Sequence, residues 1–200
     1  MHVECDPKGR TWNLETCREI APLTLEINRL KKEKNAVILT HSYVEPEIVY
    51  GVGDFKGDSY YLSKMAKESS ADIILFAGVV FMAETAKILS PEATVIVPDR
   101  GSGCSLADSI TGEEVKKLKA LHPEAAVVCY INSTAEVKAE CDVCVTSGNV
   151  YDIVANLPEK QILFVPDRLM ADNVRSELKK RGVVKEIISS DGTCVVHEEF

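Results

Sequence analysis

Short, almost continuous apolar runs recur along the chain, and segments with helical spacing separate them. A strand covered on both faces is apolar throughout rather than alternating, so these runs predict strands of parallel sheets. The predicted strands are residues 36–40, 72–76, 94–98, 125–130, 142–146, 161–166 and 186–189. The predicted helices are residues 14–34, 60–69, 81–89, 113–121, 134–139, 149–156 and 170–181. Strands that alternate with helices indicate an α/β fold.

The chain contains an internal repeat. Residues 72–78 resemble residues 142–148, and the string Val-Pro-Asp-Arg at 97–100 returns at 165–168. Cys104 and Cys194 each lie in a glycine-containing turn after a predicted strand. We therefore predict repeated three-layer α/β/α domains with short parallel sheets in a pseudo-symmetric arrangement.

The repeat suggests a division of the chain. Residues 1–35 form a leader helix region, residues 36–121 a first α/β domain and residues 122–200 a second. No flexible linker separates the two domains.

The composition narrows the classes of partner. The chain has 31 Asp and Glu against 23 Lys and Arg, a net charge of −8, so we expect neither nucleic acid nor a membrane surface as partner. No signal peptide pattern is present, and no apolar run approaches the ~20 residues that span a bilayer. We expect a cytoplasmic protein, whose seven cysteines are core thiols, reactive thiols or metal ligands.

Polar residues follow several predicted strands. Ligands of open parallel sheets bind beyond the carboxyl ends of the strands, which selects His41, Tyr130, Asn132 and Ser147 as candidates. His41 is either a general acid/base or a satisfied, partly buried histidine. Ser59 is either a helix N-cap or a hydroxyl that binds a carboxylate.

The cysteines give two different signals. Cys104 and Cys194 occupy equivalent turns, so they suggest ligands that converge on an iron–sulfur or zinc site, although two thiolates do not close such a site. Cys141 and Cys144 have CxxC spacing but straddle a predicted strand, so we expect their side chains to diverge and the motif to have neither a zinc nor a redox role.

Several strings together resemble the quinolinate synthase family of NAD biosynthesis. The most specific are Met-Ala-Glu-Thr-Ala-Lys-Ile-Leu at 82–89 and Gly-Cys-Ser-Leu-Ala-Asp at 103–108. His-Ser-Tyr at 41–43, Tyr-Ile-Asn at 130–132 and Thr-Ser-Gly-Asn at 146–149 agree with it, and the match runs in order from about residue 36 to the end.

The resemblance implies a transferase that condenses iminoaspartate with dihydroxyacetone phosphate to give quinolinate. It implies a [4Fe–4S] cluster held by one cysteine from each of three homologous domains, with the fourth iron acting as a Lewis acid. L-aspartate oxidase would be an upstream partner. The family's third domain, with its third cysteine, is absent from these residues, so a partner chain or a second copy would complete the site.

The resemblance also assigns residues. It implies that Cys104 and Cys194 are metal ligands and that His41 and Tyr43 are catalytic. The substrate-binding residues would be Ser59, Tyr130, Asn132 and Ser147.

Two positions depart from the family pattern, Ser42 and Val44. The alternative from another functional class is a truncated or non-catalytic relative that acts as a metabolite-binding or assembly module.

Overall fold

The structure is a computed structural model that describes residues 13–194. The chain divides into two compact units whose boundary lies between Arg100 and Gly101. This differs from the expected boundary at residues 121/122, because the helix that precedes the second sheet packs within the second unit. Within residues 13–194, no helix combines the length and the apolar character that crossing a membrane requires.

The first unit alternates four helices with four parallel strands in the order β2-β1-β3-β4. Its elements are α1 Leu14–Glu33, β1 Ala36–His41, α2 Pro46–Gly51, β2 Phe55–Gly57, α3 Ser59–Glu68, β3 Ile73–Ala77, α4 Val80–Leu89 and β4 Thr94–Ile96.

The second unit has the same alternation and the corresponding strand order, β6-β5-β7-β8. A 3-10 turn at Ala107–Ser109 precedes its helices and strands. These are α5 Gly112–Leu121, β5 Ala125–Tyr130, α6 Ala135–Ala139, β6 Val143–Val145, α7 Val150–Asn156, β7 Gln161–Val165, α8 Arg168–Lys180 and β8 Glu186–Ser189.

Apolar side chains fill both faces of the second sheet. Successive residues of a strand point to opposite faces, so Val127 and Val128 belong to different core clusters. The cluster around Val128 includes Val154 of α7 and Val174 of α8. The cluster around Val127 includes Val115 of α5 and Val137 of α6. The continuous apolar runs therefore identified strands covered by helices on both sides, and the predicted α/β class is confirmed.

Each of the seven apolar runs contains a strand, and the shared strand order supports the repeat. The register proposed for the repeat was wrong in two places. Residues 72–78 contain β3, a third strand, whereas residues 142–148 contain β6, a second strand. The first Val-Pro-Asp-Arg string follows β4, and the second begins at the end of β7. Cys104 and Cys194, in contrast, both follow a fourth strand.

A polar interaction is repeated at the start of the second strand of each unit. The Asp54 carboxylate accepts the amide of Ile38 at 2.8 Å and the Lys31 ammonium at 2.7 Å. The Asp142 carboxylate accepts the amide of Val127 at 2.9 Å and the Lys119 ammonium at 3.5 Å. In both units an aspartate thus joins the first strand to the preceding helix.

The prediction that the side chains of Cys141 and Cys144 diverge was wrong. Cys141 precedes β6 and Cys144 lies within it. Both thiols interact with the thiol of Cys129, which is fully buried in β5.

Candidate active site

His41 is the last residue of β1 and begins a tight turn. The Val44 amide donates to the His41 carbonyl at 3.0 Å, and the Tyr43 amide donates to His41 Nδ1 at 3.4 Å. The rings of His41 and Tyr43 lie 3.9 Å apart between centroids, and Tyr43 is 58% exposed. Because Nδ1 acts as an acceptor, the neutral imidazole carries its proton on Nε2.

The surroundings of His41 favour its neutral form. Desolvation lowers the pKa of His41, and the negative charge of Asp58 partly opposes this shift. His41 is half-buried, whereas Asp58 is exposed at the start of α3. A neutral imidazole near pH 7 can take part in proton transfer.

Ser59 is the first residue of α3 and does not cap it. The cap is Asp58, whose carboxylate accepts the Tyr61 amide at 2.8 Å. The N-cap interpretation of Ser59 was therefore wrong by one residue. The Ser59 hydroxyl lies beside the first turn of the helix, where backbone N–H groups and the helix dipole favour an anion. Its role as a substrate-binding residue stays a prediction.

Tyr130 ends β5 and is the centre of a polar group in the second unit. Its side chain is half-buried, and the Ser147 side chain lies close enough to lower its pKa slightly. Burial is the main cause that raises the pKa of Tyr130, followed by the charges of Asp167 and Cys194, with a smaller contribution from Cys104. The phenol therefore stays protonated at neutral pH and can donate a hydrogen bond.

Ser147 lies in the loop between β6 and α7. The Asn149 carboxamide oxygen accepts the Thr146 amide at 2.7 Å, and the Thr146 carbonyl accepts the Val150 amide at 3.0 Å. These bonds hold the exposed Ser147 hydroxyl at the entrance to α7. Asn132 is half-buried in the turn after β5, two residues beyond Tyr130.

Cys104 is held in a turn by reciprocal hydrogen bonds with Asp108. The Cys104 amide donates to the Asp108 carboxylate at 3.0 Å, and the Asp108 amide donates to the Cys104 carbonyl at 2.9 Å. The following residues Leu106 and Ala107 are buried. The half-buried thiol of Cys104 is thus carried on an anchored backbone.

Cys194 is the last residue that the structure describes, and its turn is anchored by Gly192. The Gly192 carbonyl accepts the Arg168 amide at 2.9 Å, and Gly192 forms a bridge with Asp167. A Cβ on Gly192 would meet the Pro166 carbonyl oxygen and would lie 2.5 Å from Ser109 Oγ. The turn that carries Cys194 therefore packs closely on the segment that carries Cys104.

The two thiols suit part of an iron–sulfur site. Cys104 and Cys194 both lie near enough to Tyr130 for their charges to raise its pKa. Thiolates are the usual protein ligands of such clusters. Within residues 13–194, no set of three or more His, Cys, Asp or Glu side chains is arranged to hold a metal ion. Further ligands would have to complete the site.

Sequence reasoning missed three aspartates of these sites. Asp58 faces His41, Asp108 holds the Cys104 turn, and Asp167 is fully buried beside Tyr130. Asp58 and Asp167 both cap helices, so an aspartate directly before a helical pattern was a usable signal. The proximity of Asp167 to Tyr130 depends on tertiary structure and had no local signal.

Comparison with known proteins identifies the family. The model of the quinolinate synthetase A protein (NadA) family matches residues 25–200. The chain belongs to the quinolinate synthase family. It is 54% identical over 173 residues to the quinolinate synthase of Clostridium perfringens strain 13, an alignment that covers 86% of this chain and 56% of that protein.

Other quinolinate synthases are also similar to this chain over part of their length. The quinolinate synthase of Caulobacter vibrioides strain NA1000 is 48% identical over 184 residues, which is 90% of this chain and 49% of the relative. The enzyme of Sinorhizobium medicae is 48% identical over 180 residues, again 90% of this chain and 49% of the relative. The chain therefore spans about half the length of the curated relatives it matches.

Proposed function

We propose that this chain supplies substrate-binding residues and two cluster ligands of a quinolinate synthase. The reaction is the condensation of iminoaspartate with dihydroxyacetone phosphate to quinolinate in NAD biosynthesis. The observation that carries the proposal is the grouping of Tyr130 with Ser147, Cys104 and Cys194 in the second unit. Residues beyond this set, from the same protein or another chain, complete the site.

Tyr130 and Ser147 bind the carboxylates of the substrates. Both substrates are anions, and the neutral phenol and hydroxyl provide donors without a basic surface. Asn132, in the turn after β5, adds an amide donor to the same strand end. This arrangement explains how a protein with a net charge of −8 can bind anionic substrates.

His41 handles protons in the first unit. Desolvation lowers its pKa and keeps the imidazole neutral near pH 7. The ring can donate the Nε2 proton to substrate and take a proton back at the same atom, because Nδ1 accepts the Tyr43 amide at 3.4 Å. Tyr43 covers one face of the ring and limits its rotation. Ser59, at the start of α3, binds a carboxylate or the phosphate.

Cys104 and Cys194 hold two irons of the cluster as thiolates. When bound, a [4Fe–4S] cluster supplies a Lewis acid for dehydration and ring closure. The contribution of this chain is positional, because Asp108 fixes one turn and Gly192 the other. The buried Asp167 carboxylate caps α8 through the Met170 amide at 2.9 Å and so holds the end of β7 next to Tyr130.

The test is anaerobic reconstitution with iron and sulfide, followed by measurement of iron content and quinolinate formation. Cys104→Ala and Cys194→Ala should each lose cluster iron, whereas Cys17→Ala, in α1, should keep the wild-type content. Equal iron in all three variants would overturn the ligand assignment. Zinc retained through purification at Cys104 and Cys194 would replace the cluster in the proposal. Substrate binding without product or iron would identify a metabolite-binding relative.

A further inference from the structure

Three cysteines of the second unit form a group outside the proposed site. Cys129 is fully buried in β5, Cys144 is exposed on the edge strand β6, and Cys141 is half-buried just before β6. The thiols of both other cysteines lie close enough to the Cys129 thiol to change its pKa. The Cys141 thiol also donates to the Val137 carbonyl at 3.1 Å. A cysteine of an exposed edge strand thus lies beside a fully buried one.

The register of the sheet makes Cys129 and Cys144 direct partners. They are paired Cα positions of adjacent parallel strands. Neighbouring strands lie about 4.8 Å apart, and paired residues project from the same face. Disulfides need a Cα separation of roughly 4.4–6.8 Å, so the backbone already satisfies this requirement. Cys141 lies outside the strand, and its thiol is directed to Val137.

The equivalent pair in the first unit has no thiols. The register there pairs Thr40 with Lys56 at the penultimate position of β1, and the Thr40 hydroxyl donates to the Phe55 carbonyl at 2.9 Å. The same backbone frame therefore carries a thiol pair in one unit and a hydroxyl with an ammonium in the other. The fold does not require sulfur at these positions.

We propose that Cys129 and Cys144 form an oxidation site that closes to an intrachain disulfide when a peroxide oxidises Cys144. The exposed Cys144 sulfur attacks one peroxide oxygen, the O–O bond breaks, and Cys144 becomes a sulfenic acid while water or an alcohol leaves. The Cys129 sulfur then attacks the Cys144 sulfur, loses its proton, and displaces a second water. Two thiols are oxidised by two electrons, and one peroxide is reduced.

The pKa values of the two thiols affect how fast the disulfide forms. Its hydrogen bond with Cys141 is the main cause that raises the pKa of Cys129 to about 12, and burial adds to the shift. The hydrogen bond with Cys129 and then desolvation raise the pKa of Cys144. The charge of Lys138 opposes both shifts. Thiolate is therefore scarce at neutral pH, so oxidation is slow and accelerates as pH rises.

The bridge would lie immediately next to the proposed substrate site. Cys129 precedes Tyr130, and Cys144 lies three residues before Ser147. A covalent bond between β5 and β6 would therefore fix the two strand ends that carry Tyr130 and lead to Ser147. The oxidation site itself does not depend on the proposed function.

The test is peptide mapping of the purified chain after treatment with hydrogen peroxide at pH 8. Remaining thiols are alkylated, and the protein is digested without reductant. Trypsin places Cys129 in residues 120–138 and the other two cysteines in residues 139–160. Cleavage before Asp142 then separates Cys141 from Cys144. We expect a Cys129–Cys144 crosslink as the main product of this group.

Single Cys→Ser substitutions test which cysteines form the crosslink. Cys144→Ser, at an exposed position, should abolish the crosslink, and Cys141→Ser and Cys17→Ser should leave it unchanged. Oxidation of the chain in guanidinium should give mixed pairings, which shows that the folded register selects the partners. A dominant Cys129–Cys141 crosslink would overturn the proposal. So would free Cys129 and Cys144 thiols after Cys17 has been fully oxidised.

Discussion

The first strand of each unit ends in a side chain that can handle a proton, but burial moves the two pKa values in opposite directions. Desolvation lowers the pKa of His41 in the first unit and raises the pKa of Tyr130 in the second. Burial favours the uncharged form of either group. Both are therefore neutral at pH 7, yet the imidazole can accept a proton and the phenol can only donate one. One duplicated frame thus offers two different kinds of proton chemistry.

The two units also differ at the end of the third strand. Residue Asp167 of the second unit caps α8 with its carboxylate, whereas Val79 is the N-cap of α4 and makes no side-chain cap. Asp167 is fully buried and its charge acts on Tyr130. The aspartate before the second strand, in contrast, is shared by both units. The interaction between the first two strands is duplicated, whereas the polar residues at the other strand ends differ between the units.

The largest expected effect is a loss of turnover when His41 is substituted, which substitution of Tyr130 should not produce. In reconstituted protein that forms quinolinate, His41→Ala should lower turnover by ~10²–10⁴-fold, the usual contribution of a positioned acid or base. Tyr130→Phe should mainly raise KM, because a hydrogen-bond donor to substrate is lost while His41 remains. Iron content should be unchanged in both variants. Wild-type turnover in His41→Ala would show that His41 is not catalytic. The expected contrast between His41 and Tyr130 would then be wrong as well.

The next effect concerns the glycine that seats the Cys194 turn. Gly192→Ala places a methyl group against the Pro166 carbonyl oxygen and Ser109 Oγ, and overpacking of this kind costs about 1–3 kcal/mol. Gly148→Ala is the control, because its nearest contact would be Thr146 Oγ1 at 3.8 Å. Urea unfolding measures both. We expect a lower midpoint and lower iron content only for Gly192→Ala, and equal midpoints would show that the two cysteine turns are not in close contact.

The apolar runs predicted the strands because parallel strands covered on both faces carry a continuous local signal. Strand β2 was missed because it has three residues and includes the exposed Lys56. Helix α2 was missed as well, although Pro46 at its start is a recognised signal. The Cys141–Cys144 prediction failed because both thiols lie near Cys129 of the neighbouring strand, a tertiary contact that the local spacing does not show. Strand-end residues could be predicted from local sequence, but their partners, such as Asp167 for Tyr130, depend on distant segments.

A smaller effect should distinguish the shared aspartates. Asp54→Ala and Asp142→Ala each leave a strand amide without the carboxylate that accepts its hydrogen bond. Each substitution should lower the free energy of unfolding by about 1–3 kcal/mol. Substitution of Asp54 should lower the free energy of unfolding more, because its ion pair with Lys31 is 2.7 Å long. The side chains of Lys31 and Asp54 are 14% and 33% exposed. The Lys119–Asp142 pair is 3.5 Å long and 44% and 50% exposed. Denaturant unfolding with increasing salt measures this. A larger loss for Asp142→Ala would show that the shorter, less exposed ion pair of Asp54 does not make that aspartate the more important one.

The smallest effect is on the titration of His41. Asp58→Asn keeps a side chain that can cap α3 but removes the charge that opposes desolvation, so the pKa of His41 should fall further below its ordinary value of 6.5. A His41 with a lowered folded pKa contributes stability above pH 6.5, and that stability is lost as pH falls through the folded pKa. The variant should extend this loss to lower pH. NMR titration of the His41 ring measures the shift directly, and an upward shift in Asp58→Asn would show that Asp58 acts on His41 through structure rather than charge.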